Sequence, residues 1–532
     1  MPELSLADHS VSPPRITIPR EYNAAHDLIE RNLRARRSGK VAFIDDASTC
    51  TYGQLAQRVD AFARGLTGLG LRMEERVLLC LLDTVDFPTA FLGSIKAGIV
   101  PIPVNTLLTA ADYELMLRDS RARALVVSAP LLPIFASLLP RLPQLEHVIV
   151  SGNDVTGHRS FASFLDAYGG PFTAAPTTAD DACFWLYSSG STGSPKGTVH
   201  LQASLIQTAE LYARPILGID EADVVFSAPK LFFAYGLGNA LTFPMAVGAT
   251  AVLMAERPTP VAVFARLRKH RPTFFYAVPT LYAALLASDD LPRPDELRLR
   301  RCISAGEALP GELGRRWSAR FGVDILDGIG STELLHIFLS NRPGEVRYGT
   351  TGRPVPGYEL RLLDENGAPV APGEQGELQI SGPTSAACYW NDREKSRATF
   401  QGGWTRSGDK FTQDGDGYYV YAGRSDDMLK VSGMYVSPVE VEAALVTHEA
   451  VLEAAVVGRE DEDRLVKPLA YVVLKPGRRA SGELLEELKQ HAKSRLAPFK
   501  YPRFVEFIEE LPKTATGKIQ RFKLRAKGAP RR

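Results

Sequence analysis

Residues 183–197 read CFWLYSSGSTGSPKG, and this stretch decides how the rest of the sequence is interpreted. Its first four residues are apolar, as in a buried strand, and a loop rich in glycine and hydroxyl side chains follows. The glycines allow the backbone to approach a ligand closely, while five hydroxyls and Lys196 supply donors for phosphate oxygens. The spacing differs from that of a Walker A loop. A flexible linker is the alternative, but linkers seldom follow a buried strand, so the sequence predicts a phosphate-binding loop.

The sequence before this loop alternates between strand-like and helical patterns. Apolar runs without alternation are separated by amphipathic stretches, which is typical of a parallel sheet covered by helices on both faces. A capping box formed by Thr51 and Gln54 marks the start of one helix. The predicted strands are residues 76–82, 100–104, 124–128, 274–278 and 301–304, and the predicted helices are residues 51–69, 87–97 and 110–119.

The last third of the chain has a different pattern. From about residue 357, short alternating runs are separated by turn residues, which predicts an antiparallel β-subdomain. Beyond residue 424, about 100 residues of helical and strand-like pattern would suffice for a small α+β domain. We therefore expect the α/β class, with a large N-terminal domain of mixed and parallel sheets with helices and a β-subdomain at residues 1–425. A small α+β C-terminal domain would occupy residues 426–532.

Composition limits the classes of partner and compartment. The 532 residues exceed the roughly 250–300 at which one hydrophobic core stops growing. Lys and Arg (62) nearly balance Asp and Glu (61), so a broad nucleic-acid-binding surface is not expected. Five widely spaced cysteines without a CxxC pair favour a reducing compartment. The first 20 residues carry no secretory signal, and the uncharged residues 231–255 are interrupted by Gly and Pro, so we expect a cytoplasmic protein without a membrane span.

The loop SSGSTGSPKG resembles the phosphate-contacting signature of the acyl-adenylate-forming (AMP-binding) superfamily, which includes acyl-CoA and aryl-CoA ligases, adenylation domains and luciferases. Further motifs follow in the order typical of that superfamily. The resemblance implies a large N-terminal domain and a small, mobile C-terminal domain that rotates between two half-reactions, in agreement with the two patterns described above. The motifs are SAGE (304–307), DGIGSTE (327–333), WTRSGD (404–409), GRSDD (423–427) and PKTATGK (512–518).

Two of these motifs also have an interpretation from their residues alone. Residues 330–333 (GSTE) place a hydroxyl beside a carboxylate after a glycine turn. This pattern suits a phosphate and Mg²⁺ pair, and equally a helix N-cap with its first-turn acid. Asp409 by itself is typical of a turn-capping residue. The resemblance assigns Thr332 to a phosphate, Glu333 to Mg²⁺ and Asp409 to the ribose hydroxyls.

The resemblance implies the remaining ATP contacts as well. Residues 305–307 would border the adenine, and Arg424 would lie near the ribose. Ile329 stands where many relatives carry an aromatic residue, so stacking on the adenine would be aliphatic. The implied ATP-binding residues are Ser188, Ser189, Gly190, Ser191, Thr192, Gly193, Lys196, Ala305, Gly306, Glu307, Asp327, Gly328, Ile329, Gly330, Thr332, Asp409 and Arg424.

The catalytic lysine of the superfamily corresponds to Lys518 in the PKTATGK loop. A mobile cation there would offset the repulsion between a carboxylate and the α-phosphate and stabilise the developing charge. Asp426 matches the hinge position, where a few backbone torsions absorb the rotation. Lys430, Ser432 and Gly433 follow it, and the resemblance places them at the active site in the thioester-forming arrangement, as CoA-binding residues.

The acyl pocket is predicted around residues 231–239 (LFFAYGLGN) and 334–338 (LLHIF). The lining is aromatic and apolar, with one histidine and no evident charged residue to meet a second substrate charge. A flat, compact, uncharged acyl group suits such a slot better than an amino acid or a dicarboxylate. Together the two stretches resemble benzoate–CoA ligases. The predicted substrate-binding residues are Tyr187, Phe233, Ala234, Tyr235, Gly236, Gly328, Gly330, His336 and Ile337.

The resemblance implies an ATP- and Mg²⁺-dependent ligase that converts benzoate, or a close aryl carboxylate, through an aryl-adenylate to its coenzyme A thioester, releasing AMP and pyrophosphate. Two alternatives stay open: an aryl-acid adenylating enzyme that delivers to a carrier-protein thiol, and an acyl-CoA ligase for another small carboxylate. A regulatory protein without catalysis is disfavoured, because Lys196, Glu333, Asp409 and Lys518 are all in place. Neither a nucleic-acid nor a membrane partner is expected, and a homodimer is left open.

Overall fold

Parallel and mixed sheets with helices form the large N-terminal part of the chain, and a smaller α+β part ends it, as the sequence predicts. The structure is a computed structural model. It describes residues 3–153, 155–189, 195–425, 427–431, 434–461, 465–497, 500–513 and 519–528.

A five-stranded parallel sheet forms in the N-terminal region. Its central strands are buried and apolar, which a sheet covered on both faces requires. The predicted capping box is present, with Thr51 and Gln54 bonded reciprocally at the start of a helix. The strand order is Val100–Pro103, Arg76–Cys80, Ala124–Ser128, His147–Ser151 and Arg159–Ser160. The helices of this region are Ala24–Arg34, Tyr52–Gly68, Asp86–Lys96, Ala110–Ser120, Leu132–Phe135 and Phe161–Ala167, with 3₁₀ turns at Ala129–Leu131 and Leu139–Arg141.

A nine-stranded mixed sheet carries many of the predicted site residues. Its inner strands run parallel, while antiparallel strands close both edges. The strand order is Arg353–Pro354, Ile337–Ser340, Ile325–Gly330, Arg301–Ser304, Phe274–Ala277, Val224–Ser227, Thr250–Val252, Val41–Ile44 and Thr49–Thr51. The helices are Ser204–Thr208, Ala234–Leu237, Phe243–Val247, Pro260–His270, Pro279–Leu286 and Gly311–Phe321, with π-helices Ala209–Leu217 and Gly238–Thr242 and 3₁₀ turns Pro294–Glu296 and Thr332–Leu334.

The uncharged residues 231–255 fold into short pieces rather than one long helix. Two α-helical turns flank the π-helix Gly238–Thr242, and Gly248 ends the helical segment with a φ of 83°. The strand Thr250–Val252 follows within the nine-stranded sheet. None of the helices in the described part of the chain combines the length and apolarity needed to cross a membrane.

Antiparallel strands complete the N-terminal part. The predicted β-subdomain is a sheet of Glu359–Leu363, Gln375–Ser381, Trp404–Gln413 and Phe400–Gln401, with Tyr419–Arg424 paired to the third of these and the helix Arg393–Thr399 beside it. A separate three-stranded sheet contains Ala182–Ser189, Pro195–Leu201 and Cys388–Tyr389, and a hairpin of Leu6–Asp8 and Arg15–Thr17 lies near the N-terminus.

The C-terminal part has its own sheet and its own apolar core. The Ser437 side chain caps the helix that begins at Pro438 by accepting the Glu440 N–H. The strands are Leu429–Val431, Met434–Val436, Val451–Glu460, Val466–Leu474 and Phe504–Phe507, and the helices are Pro438–Val446, Gly482–Lys493 and Arg521–Gly528.

Candidate active site

The predicted phosphate loop connects the antiparallel strands Ala182–Ser189 and Pro195–Leu201. In their register Ser188 pairs with Lys196, so the lysine is the second residue of its strand and lies opposite the second-last residue of the first strand. The tip of the loop lies outside the described residues, and this includes Gly190, Ser191, Thr192, Gly193 and the side chain of Ser189.

Lys196 lies between a tyrosine and a carboxylate. Its Nζ is 3.3 Å from Tyr389 Oη and 4.4 Å from the centroid of that ring. The same Nζ is 3.8 Å from Glu333 Oε1, to which Tyr389 Oη donates a hydrogen bond of 2.6 Å. Burial lowers the pKa of Lys196, whereas the neighbouring Glu333 carboxylate acts in the opposite direction. The structure thus brings together two residues that the sequence assigns to ATP and to the metal.

Glu333 belongs to a single 3₁₀ turn, Thr332–Leu334, directly after the strand Ile325–Gly330. The Ser331 hydroxyl caps this turn by accepting the Leu334 N–H at 3.3 Å. The N-cap interpretation of the GSTE motif is therefore correct for Ser331. It does not compete with a site role for Glu333, whose carboxylate contacts Lys196.

The side chain of His200 is hydrogen-bonded to the backbone of this turn. Its Nε2 donates to the Thr332 carbonyl oxygen at 2.8 Å, and its ring stacks on Phe184 at 5.1 Å between centroids. Burial lowers the pKa of His200 to about 4, so the ring is neutral near pH 7. A neutral imidazole with its proton on Nε2 fixes the backbone of the turn without adding charge.

The predicted adenine contacts lie at the carboxyl ends of two neighbouring parallel strands. Ser304 is paired with Asp327, so residues 305–307, which follow the first strand, and residues 328–330, which end the second, lie at the same end of the sheet. In open α/β sheets ligands bind outside the carboxyl ends of the strands. Ala305 is buried, Gly306 has a φ of 92°, and Glu307 accepts a hydrogen bond of 2.5 Å from Thr280. Burial raises the pKa of Asp327 well above its usual range.

The predicted ribose contacts lie on the antiparallel sheet. Asp409 is paired with Arg424, and Nη1 of the arginine is 3.3 Å from Oδ1 of the aspartate. Tyr421 Oη is 3.4 Å from the same oxygen. The Asp409 N–H donates to Ser407 Oγ at 3.0 Å, so the turn contact here is made by the Ser407 side chain. The expectation that Arg424 lies near Asp409 is thus met, while their role toward ribose stays a prediction.

The predicted acyl residues gather around His336, which is buried. Its ring centroid lies 5.7 Å from that of Tyr235, and its Nε2 is 3.3 Å from the Tyr235 carbonyl oxygen and 3.2 Å from Asn239 Oδ1. Phe233 and Ala234, like Tyr235, are partly buried against the large apolar cluster that includes Ile337. Burial lowers the pKa of His336 to about 3, so this ring is also neutral.

Three glycines near His336 allow neighbouring segments of the chain to approach closely. A Cβ on Gly236 would lie 2.0 Å from the Lys230 carbonyl oxygen, and one on Gly330 would lie 2.5 Å from the His336 carbonyl oxygen. Gly328 faces Ile337, whose Cγ2 would be 3.1 Å from such an atom. Gly328, Gly330, His336 and Ile337 are therefore neighbours, as the sequence predicts for the acyl site.

Tyr187 is the predicted acyl residue that the structure does not bring to His336. Its hydroxyl donates to Asp119 Oδ2 at 2.6 Å, and its ring packs with Trp185 in a different apolar cluster. Successive side chains of a strand point to opposite faces, so Leu186 rather than Tyr187 belongs to the large apolar cluster that includes Ile337.

Several predicted residues fall outside the described part of the chain, and their roles stay predictions. The catalytic Lys518, the hinge Asp426 and two of the CoA residues, Ser432 and Gly433, belong to this group. The backbone of Lys430 lies in the strand Leu429–Val431, and its side chain is not among the described ones.

Sequence reasoning missed Tyr389, His200 and Asn239. Tyr389 and His200 each contact a predicted site residue from a strand distant in sequence, and Asn239 contacts His336 from a π-helix. No motif marks Tyr389 or His200, whereas Asn239 ends the stretch at residues 231–239 that the sequence predicts around the acyl pocket, without a role assigned to Asn239 itself. A tyrosine that interrupts a polar stretch (residues 389–395, YWNDREK) was the one available signal for Tyr389.

Comparisons with known proteins show the family of this chain. The model of the AMP-binding enzyme family matches residues 29–390, and that of the AMP-binding enzyme C-terminal domain matches residues 440–518. A benzoate–CoA ligase of Thauera aromatica is 67% identical over 525 residues, which cover 98% of this chain and 99% of that protein. A 4-hydroxybenzoate–CoA/benzoate–CoA ligase of Rhodopseudomonas palustris is 50% identical over 509 residues, 95% of this chain and 94% of that protein.

Solved structures give the same assignment. The crystal structure of a benzoate CoA ligase from Burkholderia xenovorans LB400 matches with a TM-score of 0.89 at 58% identity, covering 95% of this chain and 100% of that one. An anthranilate CoA ligase in complex with anthranoyl-AMP matches with a TM-score of 0.92 at 45% identity, covering 96% and 98%. The acyl-adenylate motifs, the fold and the family model agree, and this chain belongs to the AMP-binding enzyme family.

Proposed function

We propose that this protein is a benzoate–CoA ligase that uses ATP to form benzoyl-AMP and then transfers the benzoyl group to the thiol of coenzyme A. One observation carries the proposal. The strand Ile325–Gly330 and the turn after it connect the Lys196–Glu333 pair, with 3.8 Å between Nζ and Oε1, to the uncharged cluster around His336. A cation–carboxylate pair suited to a nucleotide and an apolar region suited to an aryl group thus adjoin each other.

In the first half-reaction a benzoate oxygen attacks the α-phosphorus of ATP, and the bond from that phosphorus to the leaving pyrophosphate oxygen breaks. Both reactants are anions, so cationic groups must offset their repulsion. Lys196 would hold phosphate oxygens, and Arg424 with Asp409 would hold the ribose. Lys518 would add a second cation near the carboxylate.

In the second half-reaction the CoA sulfur attacks the benzoyl carbonyl carbon, the thiol proton is lost, and AMP leaves as the C–O bond breaks. We propose that the chain divides at Asp426, with residues 1–425 holding ATP and acid and residues 426–532 carrying Lys518. Among the described residues, no strand pairing joins a residue before 426 to a residue after it, which supports this division. Lys430, Ser432 and Gly433 would then face the CoA thiol after rotation.

The residues present fit a Mg²⁺ ion that is held mainly by ATP. Mg²⁺ usually takes one or two carboxylates and completes its shell with phosphate oxygens and water. In the described part of the chain no three His, Cys, Asp or Glu side chains form a metal-holding group, which matches one carboxylate, Glu333, working with a triphosphate. When bound, Mg²⁺ supplies charge neutralisation to the phosphate oxygens.

The cluster around His336 supports benzoate as the acid. The described side chains next to His336 are aromatic or, at Asn239, polar and uncharged, and His336 itself is neutral because burial lowers its pKa to about 3. A second carboxylate or an ammonium group on the substrate would meet no opposite charge there, and its desolvation would cost binding. A single carboxylate on a flat apolar ring avoids this cost.

The experiment that tests the proposal is pyrophosphate release with benzoate, 4-hydroxybenzoate, 2-aminobenzoate, hexanoate and acetate, each with and without CoA. We expect benzoate to lead and benzoyl-CoA to appear only when CoA is present. Pyrophosphate release with benzoate but without thioester formation would point to a carrier-protein acceptor. A preference for hexanoate or acetate would contradict the assignment of the acid.

A further inference from the structure

Tyr389 stands between the two charged groups of the nucleotide site. It is 3% exposed, and its strand pairs with the one that begins at Pro195. Its backbone N–H donates to Ser396 Oγ at 2.9 Å, so the residue is held at both its main chain and its ring. A buried tyrosine hydroxyl lowers the stability of the fold unless it has a hydrogen-bond partner.

The hydrogen bonds of this hydroxyl have a fixed direction. The Glu333 carboxylate can only accept, so Tyr389 donates its single proton to Oε1 at 2.6 Å. The Lys196 ammonium can only donate, so it faces the lone pairs of the same hydroxyl oxygen at 3.3 Å. The result is a chain of donors that runs from Lys196 through Tyr389 to Glu333.

This arrangement distinguishes the two oxygens of Glu333. Both of its side-chain contacts within the described part of the chain fall on Oε1: the bond from Tyr389 and the 3.8 Å approach of Lys196. The main chain is fixed as well, because the Ala386 N–H donates to the Glu333 carbonyl oxygen at 2.8 Å. The carboxylate therefore cannot turn without breaking a charge-assisted hydrogen bond, one of the stronger kinds in proteins.

We propose that Tyr389 is a positioning residue for the nucleotide site: it engages Oε1 of Glu333, which would leave Oε2 for a divalent cation bound to ATP, and it holds Lys196 beside the same carboxylate. This inference rests on the proposed function. Tyr389 acts through Glu333 and Lys196 and need not touch ATP. Its removal should weaken the part of ATP binding that depends on the cation.

Tyr389→Phe isolates the hydroxyl, because the ring that packs against Phe400 at 5.2 Å and lies under Lys196 is retained. Tyr52→Phe is the matched control, since Tyr52 is 2% exposed and its hydroxyl donates to the Ala249 carbonyl oxygen at 2.6 Å, in a helix that carries no predicted site residue. Both variants lose one buried phenol hydroxyl and keep the ring.

The measurement is the dissociation constant of ATP by titration calorimetry, in Mg²⁺ and in EDTA, for the full-length wild type and both variants. We expect Tyr389→Phe to weaken binding roughly tenfold in Mg²⁺, the ratio typical of one hydrogen bond to a charged group, and roughly twofold or less in EDTA. Tyr52→Phe should match the wild type in both. In a Glu333→Gln background the added Tyr389→Phe change should have no further effect in Mg²⁺.

Three outcomes separate the inference from the proposed function. Equal weakening in Mg²⁺ and EDTA would overturn the inference, since the hydroxyl would then serve Lys196 or packing alone. A dissociation constant of ATP in Mg²⁺ that is the same for Tyr389→Phe and the wild type would overturn the inference as well. Wild-type protein that binds ATP no better in Mg²⁺ than in EDTA would instead contradict the proposed Mg²⁺-dependent function.

Discussion

Nε2 of His336 lies 3.2 Å from Oδ1 of Asn239, and both residues are buried. The amide orientation is fixed from its other side, because Asn239 Nδ2 faces Ser227 Oγ at 3.4 Å and that hydroxyl donates to the Pro229 carbonyl oxygen. Asn239 therefore accepts, and His336 carries its proton on Nε2. The imidazole at the proposed acyl site is therefore held in one tautomer and one orientation.

Asn239→Leu removes this acceptor at nearly constant volume. We expect the KM for benzoate to rise several-fold while kcat changes less, because the ring of His336 loses its orientation but takes no part in bond making. Steady-state kinetics with benzoate at saturating ATP and CoA would measure this. Stability should also fall by about 1–3 kcal/mol, since buried donors lose a partner.

Asn32→Leu provides the control for that stability loss. Asn32 is equally buried and its Nδ2 donates to the carbonyl oxygens of Leu28 and Met245. It should lower the free energy of unfolding by a similar amount and leave the KM for benzoate unchanged. Equal KM increases in the two variants would mean that general destabilisation, and not the orientation of His336, causes the effect.

The lowered pKa of His336 predicts a pH dependence of stability. Burial among Tyr212, Tyr235, Phe243 and Asn239 lowers its pKa to about 3, against about 6.5 in an unfolded chain. Between these values the unfolded chain binds a proton that the folded protein does not, so the contribution to stability present above pH 6.5 is lost as the pH falls toward 3.

His336→Gln should remove this dependence. Below pH 6.5 the wild type should lose about 1.4 kcal/mol per pH unit more than the variant, which corresponds to one proton. Urea unfolding at several pH values between 4 and 7 measures the two slopes. Parallel curves for the two proteins would show that His336 is protonated in the folded state as readily as in the unfolded chain.

Gly238 is the residue that makes room for the His336 ring. A Cβ there would lie 2.3 Å from Cδ2 and 2.6 Å from Nε2 of the imidazole, although the backbone φ of −61° would suit any residue. We expect Gly238→Ala to cost about 1–3 kcal/mol of stability, as overpacked cores do, and to raise the KM for benzoate. Thermal unfolding and steady-state kinetics would measure the two effects.

Two comparisons test the steric cause. Gly482→Ala, where the added methyl meets nothing within 4 Å, should leave stability unchanged or slightly higher. Combining Gly238→Ala with His336→Ala should recover much of the lost stability but not the original KM. Strict additivity of the two changes would contradict a clash between these residues.

The sequence predicts the locally coded features of the fold well. Thr51 and Gln54 form the expected capping box because that contact lies within one turn of helix. The strand predicted at residues 124–128 occurs as Ala124–Ser128, since a buried parallel strand is an unbroken apolar run. The motifs also identify residues that become neighbours in the structure: Lys196 lies near Glu333, and Asp409 is paired with Arg424.

The features that the sequence does not predict depend on contacts or strand pairing between residues far apart in the chain, or on local structure without a sequence pattern. Tyr389 reaches Lys196 across 193 residues, through a two-residue strand too short to have a periodic signal. Tyr187 was expected at the acyl site, and only the register of the hairpin with Pro195–Leu201 determines which face its side chain takes. The π-helix Gly238–Thr242, which aims Asn239 at His336, has no sequence pattern of its own.

The proposed catalytic Lys518 can be separated from the residues that bind ATP. Lys518→Ala should lower benzoate-dependent pyrophosphate release roughly a hundredfold or more, because the reaction of two anions loses a cation placed at the developing charge. It should leave the conversion of supplied benzoyl-AMP and CoA to benzoyl-CoA largely intact, since that step joins no two anions at the α-phosphate. Rapid-quench assays of the two half-reactions measure both rates.

Lys523→Ala is the matched control, because Lys523 is an exposed lysine in the nearby helix Arg521–Gly528 and should affect neither step. Lys196→Ala should differ from both variants by raising the dissociation constant of ATP, since its Nζ already lies 3.8 Å from Glu333 in the nucleotide site. If Lys518→Ala slowed both half-reactions to the same degree, the residue would serve the fold or CoA binding, and another cation would have to act in adenylation.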